Sequence, residues 1–355
     1  VRVLEKPIHI LGCELDPDER AEAMEEKASL LFPERIEGPV EEVLKRINAS
    51  LLKELIHKVK RVEVPAWLSP APPVKELGEI SLGHLVAFLD NNGCRVYSDR
   101  VAQEVEEILP DLPCLIGVDH SLSGGAMYQL SKYYGPTNIT YIVLDAHTDG
   151  LPVSALLAGI LYDIKTNPKS LFDPEDPYLR DRTDSYNASS FLLYGINEGW
   201  IVPENLILIG PCDLPPKKAY SIKDKDARKY VSAFKRFLDL GVIVIEKSQL
   251  SLSPKKLKGF LQAVRTPYVY ISVDMDVGAK TAVEGVRFTE RSGLNRNQIL
   301  NILDLIISLV NRDVELVGFD LMEFNPRKRD PKVYDLAFEI ISKLLMKSEK
   351  IKERS

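Results

Sequence analysis

The residues best suited to chemistry are carboxylates and histidines at short spacings: His120, then Asp145, His147 and Asp149, then Asp274 and Asp276, then Glu323. Asp145, His147 and Asp149 stand at i, i+2 and i+4. Alternate side chains of an extended segment share a face, so these three can converge on one point. Asp274 and Asp276 repeat the i, i+2 pattern. Gathering so many carboxylates without a counter-charge is costly. No Lys or Arg closely adjoins either cluster in sequence, so metal ions are the natural neutralisers. Mixed carboxylate and imidazole ligation suits Mn²⁺, Zn²⁺ or Fe²⁺. His120, Asp145, His147, Asp149, Asp274 and Asp276 are too many ligands for one tetrahedral zinc. They fit two divalent ions bridged by shared carboxylates, which hold and deprotonate a water between them.

Something must carry these residues to one place. Each cluster follows a short apolar run rich in β-branched residues: Leu112 to Val118, Ile139 to Leu144, Tyr268 to Val273 and Val314 to Phe319. Leu206 to Ile209 and Val242 to Ile245 are similar, and Pro7 to Gly12 and Arg61 to Val64 are weaker strands. Runs that are apolar throughout predict strands buried on both faces. Helical patterns alternate with them: Ser98 to Leu109, with Ser98 as N-cap, Asp226 to Leu240, Asn295 to Val310 and Pro331 to Met346. Alternation of this kind predicts an α/β fold with a mostly parallel sheet. Ligands of such sheets bind at the carboxyl ends of the strands, where these clusters stand. Near the N-terminus, Pro17 to Leu31, with Asp16 as its start signal, and Val40 to Val59 predict two helices. They form a helical elaboration over about residues 17–60. Gly150 to Ser190 reads as a long loop region, a candidate lid, and the chain after Met346 as a solvated tail.

Composition narrows the class. The chain has 355 residues, 45% of them hydrophobic, enough for a sizeable core. The net charge of −6 and scattered Lys and Arg argue against nucleic-acid binding. The four cysteines form no CxxC pair and read as reduced thiols of a cytoplasmic protein. Sequence patterning predicts no membrane span and no secretion signal. The Asn-X-Ser/Thr matches at Asn48, Asn138 and Asn187 are then chance. Of the five histidines, His9, His57 and His84 lie outside the motifs.

The motifs Gly117-Val118-Asp119-His120-Ser121, Asp145-Ala146-His147-Thr148-Asp149, Ser272-Val273-Asp274-Met275-Asp276 and Glu323-Phe324-Asn325-Pro326 resemble the four signatures of the ureohydrolase family. That family includes arginase, agmatinase and formimidoylglutamase. The resemblance runs in order from about residue 80 to the end. It implies a single arginase-like domain with a three-layer α/β/α fold, two Mn²⁺ ions, and trimers or hexamers. It also implies hydrolysis of a guanidino or amidino C–N bond. By position, His120 and Asp149 hold one ion, His147 and Asp276 the other, and Asp145 and Asp274 bridge them. Asp149 and Glu323 become the catalytic candidates, Asp149 accepting a hydrogen bond from the attacking water. Glu323 pairs with the substrate's cationic group, as a planar guanidinium forks onto a carboxylate.

The chain departs from the pattern around the pocket. Val118 replaces a glycine, Ala279-Lys280 an Asp-Pro, and Arg287-Phe288 a Gly-Thr that lines the guanidinium pocket. Gly285, Glu290 and Gly293-Leu294 keep the pattern. Many relatives carry a proton-relay histidine where Asn187 best aligns here, and Asn187 does not titrate. Asn187 and Phe288 thus join Glu323 as substrate-side residues. Pro215 stands where arginase has an acid for the amino-acid head, which argues against arginine as substrate. Two alternatives follow. One is a metal-binding protein with altered or no catalysis. The other is a one-zinc deacetylase, which needs a histidine pair beside its water.

Overall fold

The computed structural model describes residues 2–3, 6–29, 36–250, 254–289, 291–310 and 314–347. Glu290 and the tail from residue 348 lie outside these. The apolar runs form a central sheet of eight strands: β1 (Ile8–Cys13), β2 (Ile56–Arg61), β3 (Leu112–Gly117), β4 (Ile139–Leu144), β5 (Leu206–Ile209), β6 (Ile243–Ile245), β7 (Tyr268–Asp274) and β8 (Glu315–Met322). The spatial order is β2-β1-β3-β8-β7-β4-β5-β6. Every pairing in it is parallel. A separate short antiparallel pair joins Arg2–Val3 to Met346–Lys347.

The sheet is covered on both sides, giving three layers. Ile142 and Leu144 of β4 point into one core with the helices Pro39–Asn48, Arg296–Val310 and Pro331–Leu345. Tyr141 and Val143 point into the other, with the helices Gly93–Ile108, Ser123–Tyr134 and Phe191–Asn197. Burial on both faces is why these strands read as unbroken apolar runs. The four strands that end in acids and histidines, β3, β8, β7 and β4, are neighbours at the centre of the sheet. Among the described residues, no helix is long and apolar enough to cross a membrane.

Several local expectations are corrected. The helix expected over Val40 to Val59 stops at Asn48. Ser50 then caps a 3₁₀ turn by accepting from Leu52 N–H, and the chain continues as β2. That edge strand carries Lys58 and Lys60, so it lacks an apolar signature. The strand expected at Arg61 to Val64 therefore lies earlier, at Ile56–Arg61. The first helix begins at Ala21, not Pro17. Asp16 is committed to buried ion pairs instead of capping. Ser98 is no N-cap: the helix already runs from Gly93, and the buried Ser98 hydroxyl bonds Tyr186 at 2.9 Å. Finally, the stretch read as a loop from Gly150 holds a helix, Val153–Thr166. It packs on the helix Lys225–Asp239. Only Val153, Ala155 and Ala158 of it are buried, mostly small residues, so its period is faint.

Candidate metal centre

Each strand end delivers its residues by a local device. After β3, Asp119 caps a turn over His120–Leu122, accepting from Ser121 N–H at 3.2 Å. Gly117 permits this close approach, since a Cβ there would lie 2.3 Å from the Cys13 carbonyl oxygen. After β7, Asp274 Oδ1 accepts from Asp276 N–H at 2.8 Å, capping the turn Met275–Gly278. After β4, Asp149 adopts a left-handed φ of 45°. Glu323, after β8, does so too, with φ 67°. Two non-glycine residues in this region beside one cavity mark backbone held under strain by its surroundings.

The six residues singled out from spacing fall into two adjoining groups. In the first, His120 Nδ1 lies 2.9 Å from Asp149 Oδ2, 3.2 Å from Asp274 Oδ2 and 3.3 Å from Asp145 Oδ2. In the second, His147 Nδ1 lies 3.0 Å from Asp276 Oδ2 and 3.6 Å from Asp145 Oδ1. Within each group the ligand atoms lie within 4.8 Å of one another. Asp145 belongs to both groups, one oxygen to each. Asp274 belongs to the first.

Residues behind His120 set its tautomer. Ser272 Oγ donates to Asp320 Oδ1 at 2.8 Å, so it can only accept from His120 Nε2–H, also 2.8 Å away. Tyr270 holds the other Asp320 oxygen at 2.6 Å. Nδ1 therefore faces three carboxylate oxygens, an arrangement that a proton shared among them, or a cation between them, satisfies. Asp145 Oδ2 and Asp276 Oδ2 are buried with no hydrogen-bond partner among the described residues. Buried orphan acceptors are costly, and here they sit where the two groups converge. The residues present thus fit a pair of divalent ions. Ser272 and Asp320 lie outside the spacing pattern of the strand ends. Their signal was a polar residue inside an apolar run, at paired positions of β7 and β8.

The electrostatics agree. Burial and the nearby Asp145 push the Asp149 carboxyl up to about 8. Burial, Asp276 and Asp145 raise Asp274 well above the carboxylate range. Burial works against charge on His120, but Asp145, Asp149 and Asp274 outweigh it and hold the ring's pKa well above 6.5. His147 is raised likewise, with Asp276 outweighing burial. Asp145 goes the opposite way: burial opposes it, yet the two histidines hold it below the usual range. Without an ion, the cluster has to share protons among its carboxylates and rings.

A cavity of about 200 Å³ opens beside both groups, lined by His147, Asp149 and Asp274 together with Glu323 and Phe288. A larger one of about 880 Å³ adjoins it, sharing Leu156 and Asp213. Glu323 Oε1 accepts from His120 N–H at 3.0 Å and from Arg287 Nη1 at 3.2 Å. Glu323 Oε2 has no partner among the described residues. The fold thus brings a cation to Glu323 that no sequence neighbour announced. The Phe288 ring stands edge-on to His147, centroids 5.7 Å apart. Asn187 is not among the lining residues, which include its neighbours Ala188 and Ser189. Its side chain closes its own turn, accepting from Ser189 N–H at 2.9 Å and donating to the Ser185 carbonyl at 3.2 Å. Asp213, unremarked among the site candidates, holds Thr148 through one oxygen.

Known proteins share this fold. The Arginase family model matches residues 53–347. The arginase of Staphylococcus aureus (strain MRSA252) is 25% identical over 252 residues, covering 67% of this chain and 70% of that one. Arginase 2 of Arabidopsis thaliana is 28% identical over 258 residues, covering 72% of this chain but only 58% of its own length. Among solved structures, Bacillus caldovelox arginase superposes with a TM-score of 0.60 at 16% identity, covering 98% of this chain and 99% of that one. Four strand ends, two His/Asp groups sharing one carboxylate and a family match across most of the sequence lead to one conclusion: the chain belongs to the arginase family.

Proposed function

We propose that the protein is a dimetal hydrolase acting on a guanidino or amidino C–N bond. The observation that carries this reading is Asp145, which faces His120 with one oxygen and His147 with the other, beside a cavity that Glu323 also lines. Mn²⁺ is the proposed ion, since carboxylate and imidazole ligands suit it. His120, Asp145, His147, Asp149, Asp274 and Asp276 would hold the pair, which supplies Lewis-acid activation of water and substrate.

The chain's own residues do the rest. Glu323 Oε2 pairs with an N–H of the substrate's cationic group and turns the trigonal carbon toward the ligand cluster. Asp149, which lines the cavity, accepts a proton from the attacking water and passes it to the leaving nitrogen. A C–O bond forms, the C–N bond breaks and the second water proton follows the first to the leaving nitrogen, so the products are an ammonium ion and a urea or amide. Phe288 and Leu151 keep bulk water from one side of the carbon.

Purified, Mn²⁺-loaded protein should release product from at least one of agmatine, arginine, guanidinobutyrate and formimidoylglutamate. Yield no higher than that of a His120→Ala control on all four would overturn the reading. The two histidines face different carboxylate groups, which disfavours the deacetylase alternative. A non-catalytic metal protein has one feature behind it: the Ser185–Ser190 wall presents no titratable side chain to the cavity. A trimer or hexamer is proposed from the family resemblance and a cytoplasmic location from the four free cysteines; light scattering and fractionation check them.

A further inference from the structure

The family match begins at residue 53. The segment before it nevertheless reaches the substrate side of the cavity. Asp18 sits almost fully buried and accepts from Arg20 Nη2 at 2.7 Å and Nε at 3.0 Å. Held this way, the Arg20 guanidinium stacks over the Phe288 ring, 3.9 Å from its centroid. Arg20 Nη2 also donates to the Arg287 carbonyl at 2.9 Å. Phe288 is a cavity wall, so one arginine outside the family region fixes both the ring and the backbone beside it.

The same segment braces Arg287. Its Nε makes no hydrogen bond among the described residues but lies within ion-pair reach of Asp18 at 3.6 Å and of Asp16 at 3.9 Å. Its Nη1 bonds Asp119 at 2.9 Å and Glu323 at 3.2 Å. A guanidinium is planar and rigid, so the attraction of Asp18 and Asp16 on its Nε edge and the hydrogen bonds on its Nη1 edge hold it in one orientation. Arg287 N–H in turn donates to the Glu323 carbonyl at 3.0 Å. Further along, Glu26 accepts from Asn325 Nδ2 at 2.8 Å and from Arg327 at 3.3 Å. The turn that carries Glu323 is thus gripped from two points of the N-terminal segment.

We infer that residues 16–27 are a positioning element for the substrate pocket: Arg20 sets the Phe288 wall, and Asp18 orients Arg287 so that Glu323 keeps Oε1 engaged and offers Oε2 alone to the substrate. The inference rests on the hydrolase reading for its substrate side. Arg20 and Arg287 touch no ligand atom of either His/Asp group, so they act on binding and leave the metal cluster as it is. The pocket wall of this chain is therefore built partly from sequence upstream of the stretch that matches the family model.

The test is Arg20→Met, with Arg20→Lys as the conservative variant. Arg20 is partly exposed, so its loss is tolerated by the fold. On whichever substrate the wild type turns over, Arg20→Met should raise KM about tenfold or more with kcat within about twofold and the same Mn²⁺ content. Arg20→Lys keeps a cation over the ring and should recover part of the KM. Hydrogen exchange of peptides covering 285–289 and 321–326 supplies a readout that needs no turnover, and Arg20→Met should quicken it. KM and exchange both unchanged in Arg20→Met would overturn the inference and leave the hydrolase reading standing. So would parallel losses of kcat, metal and thermal stability, which signify general damage. If the wild type is inactive on every substrate, the hydrolase reading fails, and exchange alone decides whether residues 16–27 brace the wall.

Discussion

His120 Nε2 lies 2.8 Å from Ser272 Oγ, and this one contact decides which nitrogen of the ring faces the carboxylates. Ser272→Ala removes the acceptor that fixes the tautomer, and Asp320→Asn replaces one of the two acceptor oxygens behind it with an amide donor. Each should weaken metal binding at the His120 group about 10–100-fold, the usual cost of losing an outer-shell partner. Titration calorimetry with Mn²⁺ resolves the effect. Wild-type affinity in both variants would mean that the ring needs no such support.

The sharing of Asp145 separates it from its neighbours. Asp145→Asn should weaken both ions, whereas Asp276→Asn should weaken only the one at His147. Metal content after dialysis distinguishes them: fewer than one ion per chain in the first, about one in the second. Equal losses would show that Asp145 is not shared.

The pH dependence of the metal-free protein has a defined sign. Asp149, raised from 3.8 to about 8 in the folded chain, contributes its stability fully below 3.8 and loses it as pH climbs toward about 8. His120 and His147, raised above 6.5, contribute below 6.5 and lose that contribution as pH rises through their folded values. Asp145, depressed below 3.8, opposes them: its contribution is present above 3.8 and lost as pH falls through its folded value. Chelator-treated protein should therefore melt at lower temperature at pH 8 than at pH 5, and the gain on adding Mn²⁺ should widen over that interval. A gain independent of pH would contradict this account.

Asp16 anchors a buried ion network. Its carboxylate lies 2.6 Å from Arg327 and 3.3 Å from Lys27, and both of those side chains are almost fully buried. Asp16→Asn leaves these cations without their shared anion and should cost about 3–5 kcal/mol. Urea unfolding measures it. A change below about 1 kcal/mol would place the network in an effectively aqueous environment.

The fold was legible where burial was two-sided. β3, β4, β5 and β7 read as apolar runs because helices cover both faces, and their boundaries came within a residue or two. β2 was not, because an edge strand bearing Lys58 and Lys60 looks like the continuation of a polar helix. The helix Val153–Thr166 was hidden by its small buried residues. Five of the six clustered residues were legible because the i, i+2 spacing of strand ends is a local property, and His120 because it closely follows an apolar strand. Arg287 was not. It meets Glu323 across 36 residues of sequence and Asp119 across 168, and only the fold sets such distances. Asn187 stands at the best match to the family's relay histidine, but its side chain turns into hydrogen bonds with Ser189 and Ser185 rather than into the cavity.

The central claim is a two-ion centre shared through Asp145. Anomalous diffraction from crystals of Mn²⁺-loaded protein tests it most directly. The account predicts two peaks about 3.5–4 Å apart, one beside His120 Nδ1 and one beside His147 Nδ1, with Asp145 between them. A single peak, or none, at full Mn²⁺ loading would contradict it.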